Sequence, residues 1–280
     1  MRSMHAWRPL RATVAGLAGL LWLAAGTIGV AAAADAVALD IRIAFVGTPD
    51  TPAHRGALQG LEEARAQGEF LGQRYTLEVT SDPAAIPPDV AAIVVAADST
   101  TLTTLAQRSP AVPVLNVSHT DDALRRACEP TVFHVLPSDA MLGAAEAQWR
   151  QANPTATGVQ ARAWHPDFEK YAAAQLNRRY RKAFGDAMND QAWAGWAAVK
   201  LLSDTVAREQ TAAPATLLDA LRTRLTFDGQ KGVDMSFRVD GQLRQPLLLV
   251  ADDRIIGEAP VRGVADVEDL DSLGQALCTP

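Results

Sequence analysis

The sequence predicts an α/β fold: a Rossmann-like parallel-sheet lobe, followed by a smaller helical part that ends in a β-hairpin or meander. Three observations carry this. Between Asp40 and about Val135, short apolar runs alternate with segments of helical periodicity, the pattern of consecutive βαβ units. The apolar runs themselves show little polar alternation, as expected of strands covered on both faces. Toward the C-terminus, Phe227-Asp228-Gly229, Asp240-Gly241 and Asp252-Asp253 punctuate alternating segments, a hairpin signal.

Taken in order, Ile41 to Val46 reads as the first strand and stops at Gly47. Ala53, Ala57, Leu58, Leu61 and Ala64 then recur at helical spacing, with Gly68 after them. Tyr75 to Thr80 alternates as a strand, and Ala91 to Ala96 is a buried one. A polar turn, Asp98-Ser99-Thr100, leads into a helix carrying Leu102, Leu105 and Ala106. Val112 to Leu115 and Thr131 to Val135 are two further strands. Ser138 is placed to N-cap a helix holding Met141, Leu142, Ala145 and Trp149. QANPTATGVQ, residues 151–160, is a loop-like boundary. Beyond it, Phe168, Ala172, Leu176 and Tyr180 form a stripe spaced by four, and His165 before Pro166 is expected to start a helix. Asn189 or Asp190 caps another helix, with Trp196, Val199, Leu202 and Val206 on one face, and Pro214 opens a shorter one. Val233–Val239, Gln242–Val250 and Arg254–Ala259 are the C-terminal strands.

The composition sets limits on function. Of 280 residues, 26 are basic and 32 acidic, a net charge of −6 that becomes −9 without Arg2, Arg8 and Arg11. Such a balance argues against nucleic acid or an anionic membrane as partner. Those three arginines precede an uncharged stretch, Ala12–Ala34, that closes in alanines before Asp35. This is the layout of a cleaved signal peptide, with a membrane anchor as the competing reading. The mature N-terminus is expected between Ala33 and Val37, and the protein in the periplasm.

Most catalytic chemistry finds no support. There is no GxGxxG after the first strand, no Walker A motif, no GxSxG and no HExxH. Asp121-Asp122 and Asp252-Asp253 read as a helix cap and a hairpin turn, not as metal ligands. His134 reads as a packed strand residue, and Trp193 and Trp196 as core. No metal, cofactor or acid–base pair is expected. What does stand out is a set of loops following the strands, since open parallel sheets bind ligands outside the carboxyl ends of their strands. Thr48, Asp98, Ser99, Thr100, Ser118, His119 and Thr120 offer hydroxyls and backbone N–H groups there to a small polar or carboxylate-bearing ligand. Ordinary capping of the following helices accounts for the same residues.

Four stretches, NVSHTDDALRRACEPTVFHVLPSDAML, AWHPDFEKYAAAQLNRRYRKAFG, DGQKGVDMSFRVDGQLRQPLLLV and LDSLGQALC, resemble one family. It is the substrate-binding proteins of ABC transporters that accompany PQQ-dependent alcohol dehydrogenase systems, within the type I periplasmic binding proteins of the branched-chain amino acid/amide class. The resemblance implies two Rossmann-like lobes closing on a small solute, an ABC permease in the inner membrane as partner, and binding residues among Thr48, Asp98, Ser99, Ser118, His119 and Thr120. Family members carry a further βα-rich segment between AAEAQW and AWHP, where only QANPTATGVQ stands here. Lobe one is therefore expected at 35–150 and a truncated second lobe, with a β-meander returning to lobe one, at 151–280. The second wall of the binding site should be mostly missing. The functions that follow are a solute-binding component weakened by this loss, or a degenerate, non-binding accessory protein of the same system. Cys128 and Cys278, the only cysteines of an exported chain and both inside matching motifs, are expected to pair; two buried thiols are the alternative.

Overall fold

The computed structural model describes residues 38–274, 276 and 278. The expected leader, 1–34, and its cleavage site lie outside them. Five parallel strands form the first sheet: β1 (Leu39–Gly47), β2 (Gln73–Thr80), β3 (Ala92–Ala96), β4 (Val114–Asn116) and β5 (Val132–His134). Their spatial order is β2-β1-β3-β4-β5, so the sheet grows in both directions from β1. The helices between them are α1 (Pro52–Leu71), α2 (Ser99–Arg108) and α3 (Asp122–Arg126), and α4 (Asp139–Ala152) follows β5.

Strand alternation divides the core. Ile41, Ile43 and Phe45 enter the larger apolar cluster, beneath α1. Ala44 and Val46 point the other way, to Ile93, Val95, Leu102 and Leu105 under α2. This is why β1 reads as a continuous apolar run. Helix α1 starts where Thr51 Oγ1 accepts from the His54 N–H and Pro52 takes the first turn. It ends at Gly72 in the left-handed region (φ 66°).

The chain after α4 builds β6 (Gln160–Arg162), α5 (Ala173–Phe184), α6 (Asp190–Glu209), α7 (Pro214–Thr223), β7 (Leu247–Ala251) and β8 (Arg254–Ala259). Helix α6 lies directly on α1. A Cβ on Gly56 would fall 1.8 Å from the Ala192 carbonyl oxygen, and one on Gly195 2.0 Å from that of Ala53, so the two backbones touch. Trp193 and Trp196 of α6, with Trp164 before α5, are almost wholly buried in the cluster that β1 also feeds. Strands β6, β7 and β8 form a second, antiparallel sheet packed on α4 through Met141, Ala145, Leu247 and Leu249.

Several expectations need correction. Helix α5 begins at Ala173, because Tyr171 and Ala172 both take left-handed backbone (φ 52° and 70°) that no α-helix continues. Phe168 is buried all the same, edge-on to Trp164. His165 opens no helix; its carbonyl accepts the Phe168 N–H in a turn. Ser99 and Thr100 belong to the first turn of α2. Residues 233–239 make isolated bridges, Phe227 to Met235 and Phe237 to Leu243, not a continuous strand. Gln242 and its neighbours join the first sheet instead: the His134 N–H donates to the Gly241 carbonyl and the Leu243 N–H to the His134 carbonyl. The approach requires glycine, since a Cβ at 241 would sit 2.1 Å from the Val132 oxygen at a φ of 76°. Helix α4 runs from Asp139 through to Ala152.

A disulfide joins Cys128 to Cys278, with Cα atoms 6.0 Å apart, and ties the C-terminal segment to the turn before β5. A loop of this length nominally contributes about 5 kcal/mol in the chain-entropy model. Denatured, unreduced protein should thus titrate no free thiol, and reduction should lower the urea midpoint of unfolding. Two titratable thiols would refute the bond. The α1–α6 contact gives a second expectation. Gly195→Ala should destabilise by about 1–3 kcal/mol or more through overpacking. Gly143→Ala on α4, where a Cβ meets nothing within 4 Å, should stabilise by about 0.5–1 kcal/mol. Urea titrations of both variants check the opposite signs.

Candidate functional site

The carboxyl ends of β4 and β5 open into a cleft of about 550 Å³. One side is Ser118, Thr120, Leu136 and Pro137, from the loops after those strands. The other is Gln160, Arg162 and Ala163 of β6 and the residue after it, with Asn189, Asp190 and Gln191 at the start of α6. Glu146 of α4 contributes to the lining as well. A second side to the cleft is therefore present, and the expectation of a mostly missing wall is corrected to that extent. Packing of α6 on α1 brings its N-terminus here.

The first side is organised by Asn116, the last residue of β4 and fully buried. Its Oδ1 accepts the N–H groups of both Ser118 (3.2 Å) and His119 (3.0 Å). Its Nδ2 donates to the His119 carbonyl (2.9 Å) and to His134 Nδ1 (3.0 Å). Three of the four bonds hold one loop and the fourth ties it to β5, an arrangement in which every buried group is satisfied. Arg125 locks the same loop from behind, donating to the carbonyls of His119, Asp121 and Leu136 and to Gln242 Oε1.

On the second side, Asn189 caps α6 by accepting the Ala192 N–H. Asp190 Oδ1 accepts the Trp164 N–H at 2.7 Å, and Arg162 reaches Oδ2 at 3.4 Å. Burial pushes the Asp190 carboxyl above the usual carboxylate range, against the pull of the Trp164 N–H, Arg162 and Lys231. Glu146 Oε1 accepts the Ala161 N–H.

Of the residues expected from sequence, Ser118 and Thr120 line this cleft; Thr48, Asp98, Ser99, Thr100 and His119 do not. The exposed Thr48 gives its carbonyl to Thr51 Oγ1. Asp98 caps α2, accepting the Thr101 N–H and hydroxyl, and those bonds lower its pKa. The Ser99 carbonyl accepts from Thr103 Oγ1, and Thr100 is exposed in the same turn. His119 turns its ring to the Ala97 carbonyl, which Ser118 Oγ also reaches at 3.4 Å. The backbone donors expected from Ser118 and His119 are spent on Asn116. Sequence reasoning missed Glu146, Gln160 and Arg162 as cleft residues, and noted Asp190 only as a cap. Nothing local to those residues signals that α6 returns to the sheet.

No family model matches the chain and no curated protein matches its sequence. Solved structures match in fold. A branched-chain amino acid ABC transporter periplasmic ligand-binding protein from Burkholderia xenovorans is 10% identical over 79% of this chain and 95% of its own, with a TM-score of 0.64. An ABC transporter substrate-binding protein from Desulfitobacterium hafniense, in complex with Leu, is 14% identical over 78% and 98%, with a TM-score of 0.62. A branched-chain amino acid transporter substrate-binding protein from Streptococcus pneumoniae, in complex with isoleucine, is 12% identical over 79% and 98%, with a TM-score of 0.61. The fold is that of the type I periplasmic binding proteins. Within this type I fold the cleft occupies the ligand side expected of an open parallel sheet. Among the described residues no helix is long and apolar enough to cross a membrane, and no group of three His, Cys, Asp or Glu could hold a metal ion.

His134 sits beneath the cleft loop of this type I fold as a neutral ring. Nδ1 accepts from Asn116, which leaves the proton on Nε2. Burial first, then the charge of Arg125 and the neighbouring His119, holds its pKa well below 6.5. Burial also lowers His54, with Asp50 opposing. In the unfolded chain both titrate near 6.5, so below that pH the unfolded state binds the extra protons and stability falls. Each contributes a slope of up to about 1.4 kcal/mol per pH unit between the folded and unfolded values. Unfolding free energies measured from pH 7 to 5 should fall accordingly, and His134→Gln should lose one proton's share of the slope. An unchanged slope in that variant would show that His134 is not held neutral.

Proposed function

We propose that this protein is the periplasmic solute-binding component of an ABC transporter for a small polar solute, working with a permease in the inner membrane. The observation that carries the reading is the two-sided cleft at the carboxyl ends of β4 and β5, where Ser118 and Thr120 line one side and the polar start of α6 the other. The fold neighbours, all substrate- or ligand-binding proteins by description, support it. We also propose that residues 1–34 are a cleaved leader, and that β6–β8 with the adjoining helices are what this chain keeps of a second lobe. An amino-acid- or amide-like solute, or one linked to PQQ-dependent alcohol oxidation, is the class the sequence resemblance suggests. The fold neighbours are substrate- or ligand-binding proteins by description, which supports transport over turnover.

A second reading, a non-binding accessory protein of such a system, draws on the self-satisfied loop: Asn116 consumes the donors of Ser118 and His119. Ligand-dependent melting of the purified protein separates the two. Amino acids, amides and short alcohols, each at 10 mM or more, form a suitable panel. A solute at one hundred times its Kd should add about 2.7 kcal/mol of stability. Thr120→Val should then weaken that solute by about two- to tenfold, the worth of one neutral hydrogen bond, whereas Ser99→Ala should leave it unchanged. A panel without a single shift would favour the accessory reading.

A further inference from the structure

We propose that the cleft takes an organic cation, a small solute bearing an amine or guanidine, in preference to a carboxylate or a zwitterionic amino acid. This rests on the solute-binding reading above and names the chemistry of the same site.

The loop donors that the sequence offers to a carboxylate are already engaged. The Ser118 and His119 N–H groups point to Asn116 Oδ1. The Ser118 hydroxyl donates to the Ala97 carbonyl. Arg162, the one guanidinium in the lining, spends Nη1 on Asp190 and Nη2 on Gln160 Oε1. An anion entering against this loop or Arg162 would have to break these bonds before making its own.

The acceptors are in surplus. Glu146 and Asp190 place two carboxylates in the lining against that single guanidinium. Glu146 uses Oε1 on the Ala161 N–H, and the second oxygen has no partner among the described residues. Arg162 approaches Asp190 Oδ2 at a long 3.4 Å. The lone pairs of Ser118 Oγ and Thr120 Oγ1 complete the set of acceptors. Burial raises the Asp190 pKa against the pull of the Trp164 N–H, Arg162, Lys231 and the Ala163 N–H, and a bound cation would add to that pull. Asp122, Asp139, Asp240 and Asp121 act on the buried Arg125 behind Thr120 and offset its charge.

Thermal melting and calorimetric titration of the purified protein with four probes test the proposal: 1,4-diaminobutane, succinate, butane-1,4-diol and leucine. The diamine should raise the melting temperature and bind at least tenfold tighter than the other three, more weakly as salt is added. Glu146→Gln keeps an acceptor for the Ala161 N–H and removes one charge. It should weaken the diamine about tenfold while leaving the unliganded melting temperature and any diol binding unchanged. Should Glu146→Gln fold poorly, Asp190→Asn, which keeps an acceptor for the Trp164 N–H, serves the same purpose. Succinate or leucine binding as tightly as the diamine would overturn the proposal while leaving the solute-binding reading intact. Diamine affinity indifferent to both substitutions would overturn it too. Silence from all four probes would count against the cleft as a solute site altogether.

Discussion

Backbone contact between α1 and α6 is the constraint on which the rest of the molecule depends. Glycines at 56 and 195 let the two helices meet carbonyl to Cα, with alanines filling the seam around them. Since α1 is seated on β1, this contact places a helix formed late in the sequence onto the face of the first sheet. It buries three tryptophans in the same core as Ile41, Ile43 and Phe45. It also decides where α6 begins. Asn189 and Asp190 arrive opposite the β4–α3 loop, and a sheet rim becomes a two-sided cleft. Core and site thus share one cause.

The cleft loop illustrates a trade between order and availability. Asn116 is a short amide at the end of a strand, and it meets all its hydrogen-bonding needs within the following loop and on His134 of β5. The loop is rigid for that reason, since displacing it would leave several buried groups without partners at roughly 1–3 kcal/mol each. The same bonds withdraw Ser118 and His119 from a ligand. What remains open on this side is the Thr120 hydroxyl, and polar recognition shifts toward Glu146 and the start of α6. Lys231 adds a buried charge behind: its ammonium donates to Gln245 Oε1 and the Pro246 carbonyl, over the face of Trp193, while burial lowers its pKa to about 7.

The sheet was legible in the sequence because each strand is covered on both faces, and double burial leaves an unbroken apolar run such as Ala91 to Ala96. Caps were legible for an equally local reason: Ser138, Asn189 and Asp98 bond to backbone within three residues. Errors fell where backbone conformation or distant partners decide. A stripe spaced by four continues through Ala172, but hydrophobic spacing carries no information about the left-handed turn there. Residues 233–239 alternate like a strand and find no continuous partner, whereas Gln242, an unremarkable polar residue, pairs with β5. For the rim hydroxyls, the place after a strand was legible and the bonding partner was not. Ser99 is a helix residue, and Ser118 is held by a carbonyl twenty-one positions earlier. Half of the cleft comes from elements whose return to the sheet is a matter of tertiary packing.

The strap from Gly241 to Leu243 has a further consequence. An uncovered strand at the end of a sheet is a template for a neighbouring molecule's backbone, and proteins pay for it in aggregation. Here the chain lays its own later segment along β5 and takes up the His134 amide and carbonyl. At the opposite end no described residue covers β2 in this way, and charge stands guard instead: Arg74 pairs with Asp40, and Glu78 with Arg42. The two ends of the sheet are protected by different means, one covalently continuous and insensitive to salt, the other electrostatic and weakened by it. Strand exchange between copies, if conditions ever permit it, would begin at β2.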